Sequence, residues 1–152
     1  MDELSDEEAL WHKGDKGLIV KEVNGNFVVG YLDYDDYSVG PSSIATNLWH
    51  IKYVWSNVIN ASFKDGKVLE DDMFYSGSVK ASIKDIMCLH DEWIKNLQGL
   101  TMEDLQSVRL CNWPINNQSF FSLALWVNSE FMKDVAEIGV KRYLYGIEKN
   151  SG

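Results

Sequence analysis

The chain has 152 residues, of which 45% are hydrophobic and 24% are charged, and its formal net charge is −9. This length and composition predict one globular domain, residues 1–152, with a single hydrophobic core. The sequence has neither an apolar run long enough to span a bilayer nor a basic stripe for phosphate binding, so we expect neither a membrane nor a nucleic acid as a partner.

The N-terminus and the cysteines indicate the cellular compartment in which we expect the protein. The first eight residues, MDELSDEE, are acidic and lack the basic and apolar regions of a secretory signal. Cys88 and Cys111 do not have the spacing of metal ligands. We therefore expect reduced thiols in a cytoplasmic protein.

Residues 17–32 fit two alternatives. Asn24-Gly25 between two β-branched runs favours a β-hairpin with a tight turn. An apolar stripe with helical spacing runs through the same residues: Ile19, Val23, Phe27 and Tyr31. An isolated hairpin is marginal in water, and no other strand is predicted in the chain, so we favour the helix.

A long helix is predicted from about residue 41. Pro41 fits a first helical turn, and Ser42 or Ser43 can cap its free N–H groups. Apolar residues then recur with helical spacing at Ile44, Leu48, Ile51, Trp55 and Val58. The pattern fades at residues 63–66, and residues 64–77 are predicted to form a long connection, which suits a crossover or a functional loop.

A third helix follows this connection and ends before Gly99. Its stripe consists of Val79, Ile83, Ile86, His90, Trp93, Ile94 and Leu97. Because His90 falls on this stripe, we expect a core histidine whose ring nitrogens are hydrogen-bonded. Thr101 and Asp104 then predict a short helix that begins with a capping box.

The last helix is predicted from Ser119 to Glu148, after a loop at residues 107–118. Its first half, FFSLALWV, is apolar nearly all round, so we expect that end to be deeply buried. Glu130 and Asp134 lie one turn apart in the second half and can therefore reach a common point.

Three segments in this order resemble the DinB-like (YfiT-like) family. PSSIATNLWHIKYVWSNVINA is similar to the family's second helix, in which a histidine follows Leu-Trp within an apolar stripe. LQGLTMEDL resembles the turn after its third helix, and WVNSEFMKDVAEIGVKRYLY resembles its fourth helix. The resemblance covers roughly residues 41–146, and it implies an all-α, four-helix bundle with a long crossover after the second helix.

The resemblance also implies a metal centre. In many members of the family three histidines bind a divalent metal, one from the second helix and two from the fourth, and some members act on low-molecular-weight thiols such as bacillithiol or mycothiol. His50 matches the second-helix ligand, and the fourth-helix positions are occupied here by Glu130 and Asp134. The carboxylates imply either an altered site, holding zinc, nickel, iron or manganese, or a site that has lost its metal.

Each of these residues also has a structural interpretation. Glu130 and Asp134 share a helical face with Lys133, Glu137 and Lys141, which is typical of a solvated face with weak salt bridges. His50 lies at the edge of its apolar stripe, where a histidine commonly has a hydrogen-bonded structural role.

Two functions therefore remain open. The first is a thiol S-transferase-like enzyme, dependent on a divalent metal, whose site is altered or lost and whose substrate is a small molecule or a low-molecular-weight thiol. The alternative is a non-catalytic bundle that binds a small molecule or a protein, or that serves as a stress-related or purely structural homodimer. We expect a homodimer in either case.

Overall fold

The computed structural model describes residues 3–12, 18–30, 42–66 and 73–151. It is mostly helical with one small sheet. Its elements in chain order are α1 (Asp6–Leu10), β1 (Ile19–Val23), β2 (Asn26–Gly30), α2 (Ile44–Phe63), α3 (Val79–Gln98), α4 (Met102–Gln106) and α5 (Phe120–Asn150). Among the described helices, none is both long and apolar enough to cross a membrane.

Side-chain caps fix where the long helices begin. The hydroxyl oxygens of Ser43, Ser78 and Ser119 accept hydrogen bonds from backbone N–H groups in the first turns of α2, α3 and α5. The predicted capping box is confirmed, because Thr101 and Asp104 each accept a bond from the other's backbone N–H group. The helix boundaries therefore follow local sequence chemistry closely.

α2 is the central helix and packs against both α3 and α5. α2 and α3 run in the same direction, since Lys52 pairs with Asp85 in their first halves and the Phe63 and Trp93 rings meet near their ends. α5 runs in the opposite direction. The predicted crossover between α2 and α3 includes residues 67–72, which lie outside the described part.

The helix predicted over residues 17–32 is wrong. Residues 19–30 form an antiparallel hairpin, in register from Ile19 opposite Gly30 to Val23 opposite Asn26. Asn24 and Gly25 both have positive φ, 52° and 81°, as the tight turn of a hairpin requires. Residues 17, 31 and 32 of the predicted helix lie outside the described residues.

Tertiary contacts explain why the hairpin is stable despite having only two strands. The carbonyl of Leu18 accepts bonds from the Ser43 backbone N–H and the Thr46 hydroxyl at the start of α2. On the other strand, Tyr75 donates its backbone N–H to Phe27, and the two rings meet edge to face. The rest of the protein thus supplies the partners that an isolated hairpin would lack.

The hairpin also changes the architecture from the one expected. The described residues contain three long helices, α2, α3 and α5, while α1 and α4 span five residues each. The mostly helical bundle is therefore confirmed, but a fourth long helix is not found in the described part of the chain. The hairpin stands where the sequence predicted its first helix.

The hydrophobic core follows α2, and its largest aromatic cluster lies where the end of α2 meets the start of α5. The rings of Phe63, Trp93 and Phe120 contact one another with centroid distances of 5.5–6.3 Å. The apolar side chains with at most 1% exposure in this part of the bundle are Val58, Ile59, Phe120, Leu123 and Val127. This packing fixes the register of α5 against α2, and it thereby positions the polar residues farther along both helices.

Candidate functional site

Four residues of α5, seven positions apart from Phe120 to Lys141, lie on its buried face. Phe120 and Val127 are 0% and 1% exposed, and Asp134 and Lys141 are only 2% and 4% exposed. A seven-residue interval is two helical turns, so these four residues share one face. The core-facing positions of α5 therefore change from apolar to charged halfway along the helix.

Asn47 of α2 joins the charged residues of α5. Its Nδ2 donates hydrogen bonds of 2.8 Å to both Asp134 Oδ1 and Glu137 Oε2, and its Oδ1 accepts a bond from the Lys141 ammonium. Asn47 is 3% exposed, so an amide here must find partners within the protein. It uses both of its amide N–H groups and its carbonyl in one network.

Lys141 carries the positive charge of this network. Its Nζ also donates to Ser42 Oγ at 2.6 Å and to Glu137 Oε2 at 3.4 Å. Burial lowers the pKa of Lys141, and the negative charges of Glu137 and Asp134 counter this effect only in part. The ammonium is thus surrounded by oxygen acceptors from α5, from α2 and from the residues just before α2.

His50 extends the network to a cavity. Its Nδ1 lies 2.8 Å from Asp134 Oδ2, and its side chain is 30% exposed while that of Asp134 is 3% exposed. An ionised carboxylate can only accept a hydrogen bond, so Nδ1 carries the proton and Nε2 is left as the basic nitrogen. A buried carboxylate that holds an imidazole in this way orients it for proton exchange.

The cavity has a volume of about 450 Å³. It is lined by Leu18, Ser42, Thr46, Asn47, Trp49, His50, Tyr53, Lys133, Asp134 and Glu137. Trp49 and Tyr53 stack with their ring centroids 5.2 Å apart and form an aromatic part of the wall. The cavity thus combines one flat apolar surface with convergent polar groups, as small-molecule sites commonly do.

Glu130 lies apart from this cluster. It pairs with Lys133, and it borders a much smaller pocket next to Trp55 and Phe131 instead of the cavity. Burial alone would lower the pKa of Lys133, but the bond to Glu130 and the nearby carboxylates raise it. Lys133 therefore remains a cation at the cavity wall.

The structure thus brings together two of the three predicted site residues, His50 and Asp134. The second carboxylate in the network is Glu137, which the sequence analysis had assigned to a solvated face together with Lys141. Asn47 was not predicted as a site residue. The sequence did hold one indication that the Asp134 and Lys141 side chains are buried. They follow the apolar residues Phe120 and Val127 at intervals of seven residues.

These residues do not fit a metal ion. Among the described residues, no three histidine, cysteine, aspartate or glutamate side chains are grouped so that they could hold one. Both oxygens of Asp134 already accept hydrogen bonds, from Asn47 and His50. The Lys141 ammonium adds a positive charge within this network, which would repel a divalent cation.

His90 is not the core histidine that the sequence predicted. Its side chain is 43% exposed and lies 3.4 Å from Asp91, while its ring contacts Trp55. The stripe to which it belongs is only partly covered, because Ile83 and Ile94 on the same stripe are also exposed. His90 therefore lies outside the site.

Comparison with known proteins identifies a family. The model of the DinB superfamily matches residues 1–138. Neither the curated proteins nor the solved structures gave a significant match.

Proposed function

We propose, from the premise that the chain belongs to the DinB superfamily, that its cavity binds a small polar molecule and that His50 exchanges a proton with it. The observation that carries this proposal is the 2.8 Å contact between His50 Nδ1 and the buried Asp134 at the wall of the cavity. Histidine is the side chain whose ordinary pKa suits proton transfer near neutral pH.

The resemblance to the family suggests that this molecule is a low-molecular-weight thiol. In this proposal the S–H proton moves to His50 Nε2, and the resulting thiolate is the nucleophile. Asp134 stabilises the imidazolium that forms, and Lys133 supplies a positive charge at the cavity wall for the thiolate. No metal takes part, because the donor set does not fit one.

A comparison of two histidine variants tests this function. Wild type, His50→Gln and His90→Gln are each incubated with a panel of small thiols, including bacillithiol and mycothiol, and a chromogenic aryl halide as acceptor. Conjugation is followed by absorbance, and thiol binding by calorimetry. We expect the rate of His50→Gln to fall about 10²–10⁴-fold, the usual contribution of general acid–base catalysis. Thiol binding should change little.

His90→Gln is the matched control, since His90 is a partly exposed histidine on α3 outside the cavity. It should retain the wild-type rate. Equal rates for the two variants, or no thiol binding by the wild type, would contradict the proposal.

The alternative, a protein-interaction bundle that forms a homodimer, is favoured by a different observation. One face of α5 carries apolar side chains that are each at least 45% exposed: Phe121, Leu125, Met132, Val135, Tyr143 and Ile147. A row of this kind on a long helix is typical of a helix-pairing surface.

Light scattering tests the homodimer. We expect the wild type to be a dimer that Met132→Glu dissociates, because a charge would be buried at the centre of the row. Met102→Glu, at an equally exposed methionine on α4, should leave the dimer intact. A monomeric wild type would contradict this alternative.

A further inference from the structure

The Lys141 ammonium occupies a cage of oxygen atoms at the centre of the site. It donates to Ser42 Oγ at 2.6 Å, to Asn47 Oδ1, and to Glu137 Oε2 at 3.4 Å. An ammonium has three N–H donors, and here there are three acceptors for them. Lysine is rarely buried to this degree unless its charge is compensated, so the cage is a specific feature of this bundle.

Two carboxylates, one from the cage and one beside it, lie close together. Asp134 Oδ1 and Glu137 Oε2 both lie 2.8 Å from the same nitrogen, Asn47 Nδ2. Two carboxylates in one partly buried place need a compensating positive charge, or one of them takes up a proton. Lys141 supplies that charge from the same helix, one turn beyond Glu137 and two turns beyond Asp134.

We infer that Lys141 is a tethered cation that takes the place of a metal ion in this bundle and keeps divalent cations out of the site. This inference does not depend on the proposed thiol chemistry, because it concerns only which cation the network holds. It explains why a bundle of this family can have Asp134 at a fourth-helix position, in contact with His50, without forming a metal site.

Variants of Lys141 that lack its positive charge should bind divalent cations. Without the ammonium, His50, Asp134, Glu137 and the carbonyl of Asn47 can turn toward one ion. One imidazole, two carboxylates and an amide oxygen form a donor set that suits zinc, cobalt or manganese. Removal of Lys141 should therefore create a divalent-cation site.

The experiment titrates Co²⁺ and Zn²⁺ into four forms of the full chain: wild type, Lys141→Met, Lys141→Arg and the double variant Lys141→Met with His50→Ala. Methionine keeps the length of the lysine side chain without its charge, and arginine keeps the charge. Binding is measured by calorimetry and by the visible absorption of Co²⁺.

We expect Lys141→Met to bind one equivalent at least about 100-fold more tightly than the wild type, because a unit positive charge no longer opposes the ion. Lys141→Arg should behave like the wild type, and the double variant should lose the gain. Where Lys141→Met is partly unfolded without metal, addition of Zn²⁺ should restore its helical circular dichroism.

Stoichiometric Co²⁺ binding by the wild type would overturn the inference, and so would a Lys141→Met protein that binds no better than the wild type or stays unfolded with Zn²⁺. These readouts involve no thiol and no turnover. A failure of the thiol assay with His50→Gln is therefore distinguishable from a failure here.

Discussion

The two ends of the interface between α2 and α5 differ in chemistry although the same two helices form both. At one end Phe63 and Phe120 meet in a dry aromatic cluster that includes Trp93 of α3. At the other end Asn47 and Asp134 are 3% and 2% exposed, yet they meet through a hydrogen bond of 2.8 Å. Burial alone therefore does not distinguish the structural end from the end that faces the cavity.

The two ends contribute differently to the stability of the fold and to the site. Apolar burial provides most of the free energy of folding, and a buried polar network usually contributes little beyond the cost of its own desolvation. The aromatic end therefore holds α5 in register. The polar end retains buried polar residues, although apolar residues of similar size would stabilise the fold more. The account predicts that substitutions at the two ends have different energetic signatures.

The largest effect is expected at the aromatic end. Phe120→Ala should lower the free energy of unfolding by about 3–5 kcal/mol, because it removes a fully buried ring and leaves a cavity. Val140→Ala, at a residue of α5 that is 60% exposed and outside the apolar row, should change it by less than about 1 kcal/mol. Urea denaturation measures both, and similar losses for the two variants would contradict the assignment of faces on α5.

At the polar end, the effects of two substitutions on the free energy of unfolding should be coupled and should not simply add. Asp134→Leu and Lys141→Met should each lower the free energy of unfolding by about 2–3 kcal/mol, because each leaves buried charge uncompensated. In the double variant, the loss in free energy of unfolding should be smaller than the sum of the two single losses, and the difference should be about 0.5–3 kcal/mol.

The less buried pair Glu130 and Lys133 on the same helix, 23% and 47% exposed, is the control for this cycle. Its coupling should be only about 0.3–0.5 kcal/mol, since solvent screens the charges. Strict additivity for Asp134 and Lys141 would show that they do not belong to one network.

A smaller effect is expected in the dependence of folding stability on pH. Burial, followed by the charge of Asp6, raises the pKa of Tyr75 to about 12, from an ordinary value of 10.0. The unfolded chain loses this proton first as the pH rises, so the native state is disfavoured between pH 10 and about 12. Stability should therefore fall over this range.

Tyr75→Phe should make that fall less steep, and Tyr143→Phe, at a tyrosine that is 70% exposed, should not. Urea midpoints measured across the alkaline range provide the test. An unchanged slope in Tyr75→Phe would show that this phenol is not the group responsible.

The smallest effect is expected at Ser62, near the aromatic end. Its buried hydroxyl has no hydrogen-bond partner among the described residues. Ser62→Ala should therefore raise the free energy of unfolding by about 0.5 kcal/mol, since alanine also has the higher helix propensity. Ser119→Ala is the contrasting serine: its hydroxyl caps α5, so the loss should be about 1 kcal/mol. A destabilised Ser62→Ala protein would indicate a polar contact at this hydroxyl.

The helices could be predicted because their determinants are local. Ser43 and Thr101 cap their helices through their own side chains, and Gly99 follows α3 as predicted. The hairpin was mispredicted for the opposite reason. Its local determinant, Asn24-Gly25, was overruled by an argument about isolated hairpins, whereas Tyr75 and the start of α2 supply tertiary partners that no local pattern reveals.

The site was predictable only in part. The resemblance to the DinB-like family implied that His50 and Asp134 lie together, and their side chains meet at 2.8 Å, whereas Glu130, the third residue it implied, lies apart. Glu137 and Lys141 were assigned to solvent, because a charged helical face resembles a solvated one unless the register of its partner helix is known. That register depends on the packing of Phe120 against α2, which is a tertiary contact.

The most direct test of the central claim, that a charged lysine is buried between α2 and α5, is a proton–nitrogen NMR spectrum of the lysine side-chain ammonium groups. The account predicts one ammonium signal in slow exchange with water, absent from Lys141→Met and shifted in Asp134→Asn. A spectrum in which every lysine exchanges as fast as an exposed side chain would contradict it.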